Sequence, residues 1–115
     1  MTSKMQTGVT GEALAAEYLI SKGYEILVRN YRYGRAEIDL IVKKGNWLVF
    51  VEVKTRRSEE FGFPEEFVDR KKEENILYAA ENYIYANNSQ EMIRYDVISI
   101  LGPGREVVHL EDAFY

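Results

Sequence analysis

The sequence predicts an α/β domain, a mixed sheet flanked by helices, in the order α-β-β-β-α-β with a short C-terminal strand added. Three observations lead there. An apolar stripe at helical spacing lies near the N-terminus, and three segments with period-two alternation follow it in succession. A second helical segment, long enough to cross over, then separates the third strand from the fourth. Such a crossover implies one parallel pair in an otherwise antiparallel sheet. At 115 residues the chain is read as a single domain, 1–115, with room for one core.

"TGVTGEALAAEYLISKG" predicts the first helix, from about Val9 to Lys22. Val9, Ala13, Ala16 and Ile20 recur at helical spacing, Thr7 or Thr10 can cap the start, and Gly23 supplies a stop. "YEILVRNYRY" alternates as a first strand; Ala36 to Lys43 and Trp47 to Thr55 are the second and third. "RRSEEFGFPEEF" is a charged loop, with a short helical turn expected after Pro64, readable as a substrate-facing lid or as plain solvated chain. The second helix runs from Asp69, a good N-cap, to about Ala86, with Ile76, Leu77, Ala80, Tyr83 and Ile84 on its apolar face. Ile93 to Leu101 is the fourth strand and Glu106 to Leu110 the fifth.

Composition narrows the function classes. Apolar content of 46% and charged content of 30% match a soluble globular chain. Unbroken apolar runs such as Trp47 to Val51 fall far short of the ~20 residues of a membrane span. The polar stretch after Met1 has no signal-peptide core, and a cytoplasmic location with no membrane partner is expected. The absence of cysteine excludes disulfides, thiolate chemistry and Cys-type zinc sites. A net charge of −4 argues against nucleic-acid binding by bulk attraction. Yet residues 29 to 72 hold eleven of the fifteen Lys and Arg, so a basic surface on an acidic protein stays open beside a solvated mixed face.

"EIDLIVKKGNWLVFVEVK" carries the chemistry. Gly45-Asn46 suits a two-residue hairpin loop, which makes paired positions sum to 91. Asp39 then faces Glu52, Glu37 faces Lys54, Ile41 faces Phe50 and Lys43 faces Leu48, all on one side. Ala36, Ile38, Leu40 and Val42 would share the other side with Trp47, Val49, Val51 and Val53. Like charges directly opposite each other are destabilising, and two close carboxylates resist joint ionisation unless a cation sits between them. Mg²⁺ is the natural cation, since it takes oxygen ligands and commonly needs one or two protein carboxylates. Lys54 projects beside the same place, where an ammonium can stabilise an anionic transition state. The bland alternative is a Glu37–Lys54 cross-strand ion pair, with Asp39 hydrogen-bonded to a loop.

With these residues in view, the chain resembles a restriction-endonuclease-like nuclease domain of the PD-(D/E)xK type. It is more narrowly similar to the YraN-like family of uncharacterised bacterial proteins. The resemblance rests on "GEALAAEYLISKGYEILVRNYR", "EIDLIV", "VFVEVKTR", "FGFP", "ILYAAENYI", "RYDVISI" and "HLEDAF". It implies a restriction-endonuclease-like core in which Asp39 and Glu52 are metal ligands and Lys54 is the catalytic lysine. It implies that the Val53 backbone carbonyl also reaches the metal. Glu12 corresponds to the acid that similar Holliday-junction resolvases bring to the metal site. Glu37 takes a supporting or ligand role, and Lys72 matches a helix lysine expected on phosphate. Ala36 stands where the family has Gly, and Ile38 where the superfamily has Pro.

The implied reaction is Mg²⁺-dependent (or Mn²⁺-dependent) hydrolysis of phosphodiesters in DNA, including branched or unusual DNA, with Arg56, Arg57, Lys71 and Lys72 as phosphate contacts. The competing function is a non-catalytic nucleic-acid-binding or protein-interaction module that keeps the nuclease fold. His109, the single histidine, is expected at a core edge or on the surface. Tyr78, Tyr83 and Tyr85, at helical spacing, point to packing or a homodimer contact before base stacking. Arg94 and Asp96 share a face of the fourth strand and read as a local ion pair.

Overall fold

The computed structural model describes residues 10–56 and 70–114. The start expected for the first helix at Val9, the Asp69 cap, the turn after Pro64, the charged loop and Arg57 lie outside these residues. Within them the order is α1 (Gly11–Ser21), β1 (Glu25–Tyr33), β2 (Ala36–Lys44), β3 (Trp47–Arg56), α2 (Arg70–Asn87), β4 (Met92–Leu101) and β5 (Glu106–Leu110). Each predicted element is present, with ends moved by a residue or two.

Local chemistry explains the boundaries. Thr10 caps α1 by accepting from the Ala13 N–H at 3.0 Å. Gly11 lets the start of the helix approach β3 closely: a Cβ there would collide with the Thr55 hydroxyl and force it to shift. That close approach sets the first turn of α1 against β3. Gly45 takes φ 59° in the hairpin turn, a conformation that favours glycine.

The five strands lie in sequence order, β1-β2-β3-β4-β5. β3 and β4 are parallel and the other neighbours antiparallel, as the crossover helix requires. The helices cover opposite faces. Ala15, Ala16 and Leu19 of α1 pack on Leu40, Val42, Val49, Val51, Ile98 and Ile100. Ile76, Ala79 and Ala80 of α2 pack on Ile38, Ile41, Leu48, Phe50, Tyr95 and Val97. Both faces of the central strands are therefore buried, which is why β3 and β4 read as near-continuous apolar runs. Against such runs a charged residue stands out.

Candidate metal and phosphate site

The hairpin register is the expected one from Lys44↔Trp47 through Leu40↔Val51. It stops there. In this register the residues that exchange backbone hydrogen bonds alternate along the ladder, and the next such pair would be Ile38 with Val53. Instead the Val53 N–H donates to Asp39 Oδ2 at 2.7 Å. A carboxylate from β2 takes the place of a backbone carbonyl, and the two strands part at that point. A residue in a strand directs its N–H and C=O to the same neighbour, so the Val53 carbonyl is aimed at the same gap.

The alternation of β2 also breaks at Asp39. Ala36 and Ile38 belong to the core under α2, whereas Leu40 and Val42 belong to the core under α1. The expectation that these four share one face is corrected here. A strand released from its partner is free to twist, and β2 turns over where its ladder with β3 ends.

Asp39 and Glu52 meet in this gap. Burial, then the Glu52 carboxylate, push the Asp39 carboxyl up to about 8, with Glu12 adding to the rise and the Val53 N–H opposing it. Glu52 is 3% exposed. Lys54 Nζ lies 3.4 Å from Glu52 Oε2, and the Lys72 ammonium, coming from α2, is in direct contact with the same oxygen. Burial, followed by the neighbouring Lys72, lowers the Lys54 pKa. For Lys72 burial acts downward, but its hydrogen bonds to Glu52 and Lys54 outweigh it and the pKa is raised. Glu52 is thus held between two ammonium groups, one from its own strand and one from the helix.

Glu12 stands at the edge of this group. The Asn30 amide, oriented to satisfy its neighbours, donates to Glu12 Oε1 at 3.0 Å and to Glu37 Oε2 at 3.3 Å. Asn30 has φ 55°, a left-handed conformation that asparagine tolerates better than most residues. It lies across from the point where β2 turns over, between Arg29↔Leu40 and Tyr31↔Ile38. Glu37 is paired with Arg32 at 3.6 Å and Lys54 with Glu52 at 3.4 Å, so the alternative of a Glu37–Lys54 cross-strand ion pair gives way to these two.

Arg35, Ala36, Glu37, Asp39, Glu52, Lys71, Lys72, Asn75 and Ile76 line an open pocket of about 310 Å³. Of the expected phosphate contacts, Lys71 lies on its wall and Lys72 is drawn in against Glu52. Arg56 is not among the lining residues; its Nη1 donates to the Thr55 carbonyl at 3.1 Å. Arg35, Asn75 and Asn30 were not anticipated as site residues. Asn30 had a signal, an asparagine inside an otherwise β-prone segment; Arg35 and Asn75 had none, because only the packing of α2 over the β1–β2 turn brings them together.

A second polar cluster lies on the α1 face. Asp96, fully buried, accepts from Arg94 Nε and Nη2 at 2.9 Å each, from His109 Nε2 at 2.7 Å and from the Asp112 N–H at 3.0 Å. His109 Nδ1 is 3.2 Å from the Tyr18 hydroxyl, and Arg94 Nη2 donates to the Tyr24 hydroxyl at 2.6 Å. Burial works to raise the Asp96 pKa, but the His109, Arg94 and Asp112 hydrogen bonds prevail and lower it. Each carboxylate oxygen is satisfied, and the cluster ties β5 and the C-terminal turn to β4 and α1. Here Arg94 and Asp96 form the expected ion pair, with His109 at the core edge completing it.

Among the described residues, no three Asp, Glu or His side chains meet at metal-ligand spacing. The donor set on hand is two carboxylates, one of them kept protonated near neutral pH by burial and the other acid, with a backbone carbonyl aimed at the same gap. That chemistry suits a hard cation that keeps several waters, as Mg²⁺ does, rather than one needing a full cage. Among the described residues no helix is long and apolar enough to cross a membrane.

Comparison with known proteins agrees with the resemblance in the motifs. The profile of "Uncharacterised protein family UPF0102" matches residues 11–100, which include α1, the hairpin, α2 and nearly all of β4. A UPF0102 protein of Christiangramia forsetii is 42% identical across 100% of this chain and 98% of its own length. One from Cytophaga hutchinsonii is 46% identical, covering 94% of this chain and 95% of itself. A third, from Thermodesulfovibrio yellowstonii, is 40% identical over 98% of this chain and 99% of its own. With a profile match through the whole candidate site and relatives of this identity along their full length, the chain belongs to the UPF0102 family of uncharacterised, YraN-like proteins.

Proposed function

We propose that this protein is a metal-dependent DNA endonuclease, with Asp39 and Glu52 as the cation-holding pair. The observation that carries this reading is the pairing itself: two partly or fully buried carboxylates within reach of each other, where β2 and β3 separate, opening into a pocket with a basic wall. A protein that only needed a stable hairpin would not place an acid there, because burial and the Glu52 carboxylate disfavour the ionised form of Asp39.

Asp39, Glu52 and the Val53 carbonyl would hold Mg²⁺ or Mn²⁺, with Glu12 approaching from α1. The bound ion would polarise a phosphoryl oxygen and lower the pKa of a coordinated water. Lys54, anchored to Glu52 and pointed into the same place, offsets the negative charge that builds on the phosphate in the transition state. Its lowered pKa also suits it to orient a water or pass a proton. Arg35 and Lys71 hold the backbone phosphates on either side and give affinity without reading sequence. Asn30 bridges Glu12 and Glu37 and orients both beside the acid pair.

The second reading, a binding module without catalysis, draws on the acidic pI of about 5.1 and on Lys72, which already neutralises Glu52. The deciding experiment offers single-stranded, duplex, flap and four-way DNA to the purified protein with Mg²⁺ or Mn²⁺, beside Glu52→Ala and Lys54→Ala. The nuclease reading expects cleavage by the wild type alone, with losses on the order of 10²–10³ in each variant. Equal activity in all three proteins sinks the site. DNA binding that needs no metal and survives both substitutions, without cleavage, selects the module.

A further inference from the structure

Tyr33 and Tyr78 are 37% and 58% exposed, and their rings meet at a centroid distance of 5.1 Å and an angle of 47°. They continue an aromatic series that starts inside the protein. Phe50 packs edge-on to Tyr83, and Tyr83 edge-on to Tyr31, all within the core under α2. Tyr33 follows Tyr31 by two residues on the same face of β1, and Tyr78 projects from α2 to meet it. The inner rings close the core. The outer pair is left in water, although each ring is large and mostly apolar.

The location gives this pair a use. Tyr33 is the ladder partner of Ala36, which lines the acid pocket. Tyr78 lies three residues beyond Asn75 and seven beyond Lys71, the spacing of one helix face, and both of those line the pocket too. An aromatic step therefore adjoins a pocket whose wall carries Arg35 and Lys71 and whose floor carries the acid pair. Cations beside an exposed aromatic face match a nucleotide, which presents an anionic phosphate next to a flat π-surface. A base inside a duplex has both faces covered by its neighbours. An unpaired base does not, and can lie on a tyrosine.

We propose that Tyr33 and Tyr78 form a stacking step for an unpaired nucleobase adjoining the phosphate held in the Asp39–Glu52 pocket, which makes DNA with a single-stranded segment the substrate class. This rests on the nuclease reading and adds to it the feature that selects the substrate. Discrimination comes from stacking, so it is tolerant of sequence and sensitive to whether the base is paired.

The test measures fluorescence anisotropy of end-labelled DNA in Ca²⁺, on a single strand, a blunt duplex and a duplex with a single-stranded tail. Tyr78→Leu, Tyr33→Leu and Tyr78→Phe are compared with the wild type, after circular dichroism confirms their fold. The wild type should prefer the tailed and single-stranded DNA. Each leucine variant should lose roughly tenfold on those two and nothing on the blunt duplex, and Tyr78→Phe should bind like the wild type. Equal wild-type affinity for all three DNAs, or leucine variants that bind tailed DNA unchanged, overturns the stacking step and leaves the nuclease reading standing. Sedimentation showing a dimer that Tyr78→Leu dissolves assigns the pair to a second copy of the chain instead, and also overturns it. Failure of the wild type to bind any of the DNAs overturns the nuclease reading itself.

Discussion

Lys72 reaches across from α2 to set its ammonium against the Glu52 carboxylate, on the oxygen that Lys54 approaches at 3.4 Å from its own strand. The helix lysine, expected on a substrate phosphate, thus stands beside the acid pair in the place where a cation has most to offer. An ammonium there carries one positive charge that any incoming divalent ion must displace or endure.

Lys72→Met removes that competitor while keeping the aliphatic stem that packs over the site. Affinity for Mn²⁺, measured by titration calorimetry in the absence of DNA, should rise by on the order of tenfold, as expected for losing one partly screened like charge. Weaker Mn²⁺ binding in the variant would show instead that Lys72 helps to build the cation site.

Asp39 supplies a pH signature. Its carboxyl titrates at about 8 in the folded protein without metal, against an ordinary value of 3.8. Between those values the folded chain binds more protons than the unfolded chain, so this group's contribution to stability declines as pH rises. In EDTA the urea midpoint should therefore fall from pH 5 to pH 8.5, and Asp39→Asn should flatten the slope. A wild-type slope identical to that of Asp39→Asn would remove Asp39 as its source.

Asn30 separates backbone strain from side-chain bridging. Asn30→Ala places an ordinary residue at φ 55° and also deletes the amide that joins Glu12 to Glu37. Asn30→Gly deletes the amide alone. The alanine variant should be less stable than the glycine variant by about 1 kcal/mol, read from urea unfolding. If the two lose equal stability, the left-handed backbone at this position carries no cost.

The buried cluster on the opposite face should govern stability without touching metal binding. Asp96→Ala strands the Arg94 guanidinium, whose side chain is 13% exposed, and strips His109 of its closest partner. A loss of about 3–5 kcal/mol is expected for breaking such a pair from one side, with Mn²⁺ affinity unchanged in protein that remains folded. A loss below about 1 kcal/mol would mean that Arg94 finds Glu111, 3.8 Å away, as a full replacement.

Periodicity and turn chemistry in the sequence by themselves determined the element order, the parallel β3–β4 pair and the hairpin register. The element order and the register follow from contacts close along the chain, such as Thr10 with Ala13 or Lys44 with Trp47, and the parallel pair from a helix long enough to cross over. The register set by the turn points Asp39 toward Glu52; the ladder ends one pair short of them, and the two acids meet in the gap beyond it. Only the tertiary structure decided that β2 turns over at Asp39, that Asn30 bridges Glu12 and Glu37, and that Lys72 sets its ammonium against Glu52. Each of these depends on how α1 or α2 lies on the sheet, on opposite faces and far away in sequence. Side-chain alternation along one strand carries no information about which helix residue will reach over it, or about where a carboxylate will replace a carbonyl and release the ladder.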